Sequence, residues 1–208
     1  MGDIIRFPGK VTRPGYKRVR KSCRETDPNQ LELFPASLGA IEVFEGGLSS
    51  FEQALQSEAR GEANAADLYL QSIERGECVA DAYCNLGILE CKAQNISRAF
   101  NHFTSCLQHD PRHLEAHYNL ATLYMDLQDH RLARVHFELA IEIDPAFSAA
   151  YFSLGIILST TNELAAALAV LARYQELASP EEGRSAEELI LNLRRALSGR
   201  ETLDLNLS

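Results

Sequence analysis

Three histidines in the middle of the chain have a spacing that metal ligands on a helix use. His109, His113 and His117 follow one another at intervals of four residues, and imidazoles on one helix face bind zinc. Asp110-Pro111 lies between the first two, however, and proline ends one helix and begins the next. We therefore expect the three side chains to lie on different elements and to have structural or solvated roles.

The cysteines also predict neither a metal site nor a catalytic one. Cys84 and Cys91 lie seven residues apart on one predicted helix face, but two thiols do not supply the four ligands of a zinc site. An odd number of irregularly spaced cysteines in a chain without a signal-peptide pattern is typical of reduced thiols. The five are Cys23, Cys78, Cys84, Cys91 and Cys106.

Motifs of catalysis are not found in the sequence. It contains no Gly-rich phosphate loop, no G-x-S-x-G and no H-E-x-x-H, which are the patterns of nucleotide binding, nucleophilic serine and zinc proteolysis. We therefore expect no enzymatic activity, no catalytic residue, no metal and no cofactor. The sequence also has no run of 18 apolar residues, so we expect no transmembrane segment and a cytoplasmic location.

The elements that carry these residues repeat every 34 positions. Tyr83-x-x-Leu86-Gly87 recurs as His117-x-x-Leu120-Ala121 and as Tyr151-x-x-Leu154-Gly155. Ala99 and Phe103 recur as Ala133 and Phe137, and then as Ala167 and Leu171. The large residues follow helical spacing within each half of the repeat, which predicts a pair of amphipathic helices whose small residues allow close approach.

These residues resemble the tetratricopeptide repeat, a helix-turn-helix of 34 residues. The resemblance implies an all-α fold, a right-handed superhelical solenoid of about four repeats with a C-terminal capping helix. We expect a basic, disordered arm over 1–40, a degenerate first repeat over 46–79, and repeats over 80–113, 114–147 and 148–180. A capping helix over 181–199 and a tail over 200–208 complete the predicted organisation.

Turns and helix ends in the repeats have their own signals. Asn95 and Asp129 precede second helices and are predicted N-caps. Two capping boxes are also predicted, Ser179 with Glu182 and Ser185 with Glu188. The turn position that the family often fills with glycine holds Gln94, Gln128 and Asn162 instead. This departure is expected to cost a little turn stability.

The family binds peptides or partner proteins on the concave face formed by the first helices of its repeats. Carried over by register, this implies a groove formed by Asn85, Ile88, Tyr118, Asn119, Thr122, Phe152 and Ile156. Asn85 and Asn119 resemble the asparagine ladder by which some members hold the backbone of an extended chain. The alternative is that these asparagines only help helix packing, since Ser153 interrupts the ladder at the next repeat.

Two aromatic residues and the charge of the groove refine this expectation. Tyr118 and Phe152 are predicted to face the groove and to supply most of the binding energy. Members that bind chaperone C-terminal carboxylates use lysine and arginine beside the asparagines. The matching positions here hold Cys84, Ile88, Glu115 and Ala149, which argues against a chaperone-tail adaptor.

The N-terminal arm is strongly basic on an acidic chain. Residues 1–24 carry eight lysines and arginines against one acidic residue, whereas residues 25–208 carry 12 basic and 28 acidic residues. Nucleic acid, an anionic membrane surface and the acidic repeats are all suitable partners for this arm. The alternative is a solvated tail that only helps solubility. The predicted contact residues are Arg13, Lys17, Arg18, Arg20 and Lys21.

A short apolar segment follows the arm. Gln30-Leu31-Glu32-Leu33-Phe34 resembles the peptide by which bacterial DNA polymerases and repair proteins dock on the sliding clamp. In that interpretation Gln30, Leu31, Leu33 and Phe34 would bind the clamp. The alternative is that the same apolar residues pack on the first repeat.

Taken together, the sequence predicts a cytoplasmic bacterial adaptor that holds a partner peptide or helix in a groove. Two alternatives stay open. One is a DNA-associated accessory factor that uses the arm and the Gln-Leu-Glu-Leu-Phe segment, and the other is a regulatory subunit whose own arm occupies the groove. The sequence indicates neither the partner nor the oligomeric state.

Overall fold

The computed structural model describes residues 15–19 and 47–205. Over these residues it is built from helices alone, in helix-turn-helix pairs, which confirms the predicted all-α fold class. The helices are α1 Ser50–Arg60, α2 Ala65–Glu74, α3 Val79–Lys92, α4 Ile96–His109, α5 Leu114–Asp126, α6 His130–Ile143, α7 Ser148–Thr160, α8 Leu164–Leu177 and α9 Pro180–Leu205. Within the described ranges, none is long and apolar enough to span a membrane.

The described residues divide into two compact units. The N-terminal unit comprises residues 18–19 and 47–113, and the C-terminal unit comprises residues 15–17 and 114–205. Helices pack in sequential pairs within each unit, because a 34-residue repeat carries two amphipathic helices joined by a short turn.

The N-terminal unit is held together by residues that recur in the repeat pattern. Phe51 and Tyr69 pack with ring centroids 5.7 Å apart, in a buried cluster that includes Ala82 and Leu86. Gly87 lets α4 approach α3, since a Cβ atom at this position would lie 2.5 Å from Cε1 of Phe103. The small residue of the Leu-Gly pair is therefore a packing requirement.

The C-terminal unit has a continuous core from α5 to α9. Gly155 repeats the role of the earlier glycine, because a Cβ atom there would lie 2.6 Å from Leu171. Helix α9 packs on α8 and buries Leu189 and Leu193 completely. The helix continues to Leu205 and so includes residues assigned to the tail by sequence.

The helix ends agree with the sequence at two of four predicted caps. The box predicted at Ser185 and Glu188 lies inside α9 and begins no helix. The Asp129 side chain accepts a hydrogen bond from the Leu132 N–H at 3.1 Å, and Ser179 and Glu182 form the reciprocal capping box. Asn95 is a correction, because its side chain makes no cap and donates instead to Oε2 of Glu90 at 2.7 Å.

The turn residues adopt the left-handed backbone that glycine favours. Gln94 and Gln128 have a φ of 62° and Asn162 a φ of 69°. A side chain at positive φ is strained because its Cβ crowds the following carbonyl. We therefore expect these residues to cost a little turn stability relative to glycine.

Candidate peptide-binding site

Asn85 on α3 holds one residue of the N-terminal arm by its backbone. Its Oδ1 accepts a hydrogen bond from the Val19 N–H at 3.1 Å, and its Nδ2 donates to the Val19 carbonyl, also at 3.1 Å. Asn85 is completely buried and Val19 is 7% exposed. A carboxamide suits this contact because it donates and accepts at once.

Asn119 on α5 makes the same pair of contacts in the C-terminal unit. Its Oδ1 accepts from the Lys17 N–H at 2.7 Å, and its Nδ2 donates to the Lys17 carbonyl at 2.8 Å. This side chain is also completely buried. Asn85 and Asn119 thus have the same geometry at equivalent repeat positions, although Lys17 and Val19 have different side chains.

A tyrosine fixes the orientation of the Asn85 amide. Nδ2 of Asn85 also donates to the Tyr69 hydroxyl at 3.2 Å, and that hydroxyl donates to Oε2 of Glu58 at 3.0 Å. Burial, followed by the nearby Glu58 carboxylate, raises the pKa of Tyr69. The hydroxyl therefore stays protonated and can serve as donor to Glu58 and acceptor from Asn85.

Two carboxylates contact side chains of the arm. Glu58 on α1 forms a salt bridge with Nη2 of Arg18 and another with Lys92 Nζ at 2.9 Å. In the C-terminal unit, the Tyr16 hydroxyl donates to Oδ2 of Asp126 at 3.0 Å. The arm therefore contacts acidic residues of the repeats. The acidic repeats are one of the partners that the basic charge of the arm suggested.

The two aromatic residues predicted for the groove are buried and pack on other aromatic rings. Tyr118 packs on Phe137 and edge-on against Phe147, with ring centroids 5.5 and 5.2 Å apart. Phe152 contacts Tyr174 at 4.9 Å. Burial raises the pKa of Tyr118 to about 12, and hydrogen bonds with Ser153 and Thr122 oppose the shift. Both aromatics fill the space between helices, because their large rings stabilise the fold most when buried.

The other predicted groove residues are also buried. Ile88, Thr122 and Ile156 each expose 5% or less of their surface. The Thr122 hydroxyl donates to the Tyr118 carbonyl one helical turn earlier, at 2.9 Å. Their role in a groove stays a prediction.

Part of the predicted arm surface cannot be placed. Arg13, Arg20 and Lys21 lie outside the described residues, as do Gln30, Leu31, Leu33 and Phe34 of the clamp-like segment. Their roles stay predictions.

The histidines lie on different elements, as predicted. His109 ends α4 and stacks on Tyr83, and His113 precedes α5 with its Nε2 2.9 Å from Oδ1 of Asp81. His117 lies within α5, and its Nδ1 is 3.0 Å from Nδ1 of His136. Each has a local structural partner.

The cysteines differ from the expectation in two ways. Ligand atoms of Cys84, Cys106 and His113 lie within 4.8 Å of one another and are buried, a grouping that the sequence analysis missed because it paired Cys84 with Cys91. This grouping offers three of the four ligands that structural zinc takes. Cys78 is disulfide-bonded, which corrects the expectation of reduced thiols throughout, whereas Cys84, Cys91 and Cys106 are reduced.

Glu58 and Tyr69 are the site residues that sequence analysis missed. Tyr69 has a repeat signal, since it lies 34 residues before Phe103, but that signal indicates only burial. Glu58 has no signal, because a single glutamate on an amphipathic helix is typical of an exposed face.

Comparison with known proteins supports the class that the fold defines. Residues 114–147 match the tetratricopeptide repeat family, and the nine described helices have the arrangement of tetratricopeptide-repeat structures. Residues 114–147 are therefore a tetratricopeptide repeat, and the described helices share the fold of tetratricopeptide-repeat structures. No curated protein matches its sequence.

Solved structures share the fold at low sequence identity. The first tetratricopeptide domain of Spaghetti (RPAP3), bound to the HSP90 peptide SRMEEVD, is 21% identical over 57% of this chain and 93% of its own, with a TM-score of 0.53. MamA from Desulfovibrio magneticus RS-1 is 17% identical over 76% and 94%, with a TM-score of 0.59. The TPR2B domain of yeast Sti1, in a complex with pHsp70, is 23% identical over 58% and 97%, with a TM-score of 0.50.

Proposed function

We propose that this protein is an interaction adaptor that holds an extended partner segment by its backbone through Asn85 and Asn119. The observation that carries the proposal is the paired contact of each buried amide with the N–H and the carbonyl of a single residue. Every residue except proline offers these two groups. The asparagines therefore supply affinity for extended chain, and other contacts must supply specificity.

The same contacts favour regulation by the protein's own arm. Lys17 and Val19 occupy the two amides, so a partner that uses them must first displace residues 15–19. The apparent affinity for a partner is then the intrinsic affinity multiplied by the fraction of molecules in which the arm is released. This is the autoinhibited form of the adaptor, with the arm as an internal competitor.

The remaining sequence predictions have less support. Arg18, a predicted nucleic-acid contact, is engaged by Glu58, so the DNA-associated alternative now depends on the Lys17 side chain and on residues outside the described ones. A bacterial cytoplasmic location stays a prediction. As an adaptor, the protein is proposed to catalyse no reaction.

The test is to release the arm without altering the repeats. Lys17→Pro with Val19→Pro removes the two N–H groups that donate hydrogen bonds to the asparagines. A fluorescent peptide with the sequence of residues 14–21 serves as probe, and its binding to each full-length variant is followed by anisotropy. We expect the double proline variant to bind the peptide at least about tenfold more tightly than the parent chain, since the internal competitor is removed.

A further pair of substitutions tests the amides themselves. Adding Asn85→Ala and Asn119→Ala to the double proline variant should abolish most of the gain, because each substitution removes two buried hydrogen bonds. Asn101→Ala, on the exposed face of α4, is the matched control. Equal peptide affinity with and without Asn85 and Asn119 would contradict the proposal.

A further inference from the structure

Glu58 is an unusual carboxylate, because its side chain is only 6% exposed. Three donors surround it: the guanidinium of Arg18, the ammonium of Lys92 and the hydroxyl of Tyr69. A buried carboxylate is costly unless cations and hydrogen bonds compensate it. The Lys92 side chain is 54% exposed and that of Arg18 only 25%, so Arg18 is the more enclosed cation.

The carboxylate is coupled to the backbone contact of the next arm residue. Tyr69 donates to Glu58 and accepts from Asn85, which in turn holds both backbone groups of Val19. Arg18 and Val19 are consecutive, and the Val19 side chain is buried. One connected network within the N-terminal unit therefore contacts a cationic side chain and the backbone of the apolar residue after it.

We propose that this network is a specificity site for a positively charged residue followed directly by an aliphatic one, in an extended partner segment that replaces Arg18 and Val19. The inference rests on the proposed function and adds the chemistry of the partner. The described contact with Arg18 is made through one guanidinium nitrogen, Nη2. The site therefore recognises charge more than the two-pronged shape of arginine.

The charge of the chain supports such a partner. Residues 25–208 carry 28 acidic against 12 basic residues, and an acidic surface attracts a basic segment by long-range electrostatics. The same charges disfavour an acidic peptide. The asparagines accept the backbone of almost any extended segment. The network around Glu58 adds a preference for a segment with a basic residue followed by an aliphatic one.

The first experiment measures hydrogen exchange of the Val19 amide by NMR in the full chain. Arg18→Ala and Glu58→Gln should each lower the protection of that amide about tenfold or more, because each removes the charge-assisted contact beside it. Arg18→Lys retains the charge and should change the protection of the Val19 amide by no more than about twofold. The same holds for Glu62→Gln, an exposed control between α1 and α2.

Arg18→Ala lies on the arm, so its effect does not depend on whether Glu58→Gln alters the repeats. Asn85→Ala separates the two proposals. If it lowers Val19 protection while Arg18→Ala and Glu58→Gln do not, the charge site is wrong and the backbone contact stands. If Asn85→Ala has no effect either, the proposed function is wrong and this inference with it.

The second experiment tests recognition between molecules. The probe is a peptide with the sequence of residues 14–21, bound to the full chain carrying Lys17→Pro and Val19→Pro, which releases the arm. Replacing the peptide's arginine at position 18 by uncharged citrulline should weaken binding about tenfold, whereas lysine should retain most of the affinity. Adding Glu58→Gln to the chain should make the three peptides equivalent. Equal binding of arginine and citrulline peptides before that substitution would overturn the inference.

Discussion

Asn119 and Lys17 form a ring of two hydrogen bonds that resembles the contact between neighbouring strands of a sheet. The Lys17 N–H donates to Oδ1 at 2.7 Å, and Nδ2 donates back to the Lys17 carbonyl at 2.8 Å. A single side chain thereby satisfies both polar backbone groups of a residue that lies 102 positions away in sequence. Asn85 repeats this geometry with Val19 in the other unit, so each asparagine satisfies the backbone of one arm residue.

The first prediction concerns the hydrogen bond that Nδ2 of Asn119 donates to the Lys17 carbonyl. Asn119→Asp retains the acceptor for the Lys17 N–H but places a carboxylate oxygen against the Lys17 carbonyl. We expect arm binding to weaken by about 2 kcal/mol, because a buried hydrogen bond becomes a repulsive contact. Hydrogen exchange of the Lys17 amide measures the change. Asn101→Asp is the control, and unchanged Lys17 protection in Asn119→Asp would contradict the prediction.

The second prediction concerns the contact between α3 and α4. Gly87→Ala places a methyl group 2.5 Å from Cε1 of Phe103 and should lower the free energy of unfolding by about 1–3 kcal/mol. Gly183→Ala is a matched control, because nothing lies within 4 Å of its Cβ position and alanine favours a helix. Urea unfolding measures both variants. Equal stability of the parent chain and Gly87→Ala would show that the ring moves aside without cost.

The helical repeats could be predicted because the period itself specifies packing. Residues 34 positions apart, such as Phe103 and Phe137, occupy the same place in successive helix pairs and have the same burial. The asparagine positions followed from the same register. Tyr118 and Phe152 were predicted to face the groove and pack on other aromatic rings. Periodicity distinguishes a buried helix face from an exposed one but not the groove from the contact between helices.

The occupant of the asparagines could not be predicted. Lys17 and Val19 contact them through backbone groups that almost every residue carries, so no sequence pattern marks the pairing. Glu58 illustrates a related limit. Its burial depends on Arg18, 40 residues earlier in a segment without periodicity, and neither residue alone indicates the other.

The third prediction concerns the left-handed turn between α5 and α6. Gln128 has a φ of 62°, a conformation that glycine adopts without crowding at Cβ. Gln128→Gly should therefore raise the free energy of unfolding by about 0.5–1 kcal/mol. Gln56→Gly, at an exposed position in the middle of α1, should lower it by about 0.5–1 kcal/mol, since glycine weakens a helix interior. A loss of stability in both variants would contradict the assigned strain at Gln128.

The fourth prediction is a dependence of stability on pH that arises at His136. Its ring lies 3.0 Å from His117, nitrogen to nitrogen, and stacks on Tyr124. Burial, followed by repulsion from His117, lowers the pKa of His136 from 6.5 to about 4. The unfolded chain therefore binds a proton more readily than the folded one between these values.

The sign follows from that difference in proton binding. The neutral histidine pair contributes its full stability above about pH 6.5, and the contribution is lost as the pH falls through 6.5 towards 4. The full shift would correspond to about 3 kcal/mol, and solvent screening of this half-buried side chain reduces the expected loss to about 1–2 kcal/mol. Urea unfolding at pH 7 and at pH 4.5 measures it. His136→Gln should reduce the loss of unfolding free energy between pH 7 and pH 4.5 by about 1–2 kcal/mol. His109→Gln, at the exposed end of α4, should leave that loss unchanged. If His136→Gln unfolds with the same pH dependence as the parent chain, the histidine pair is not the source of the acid sensitivity.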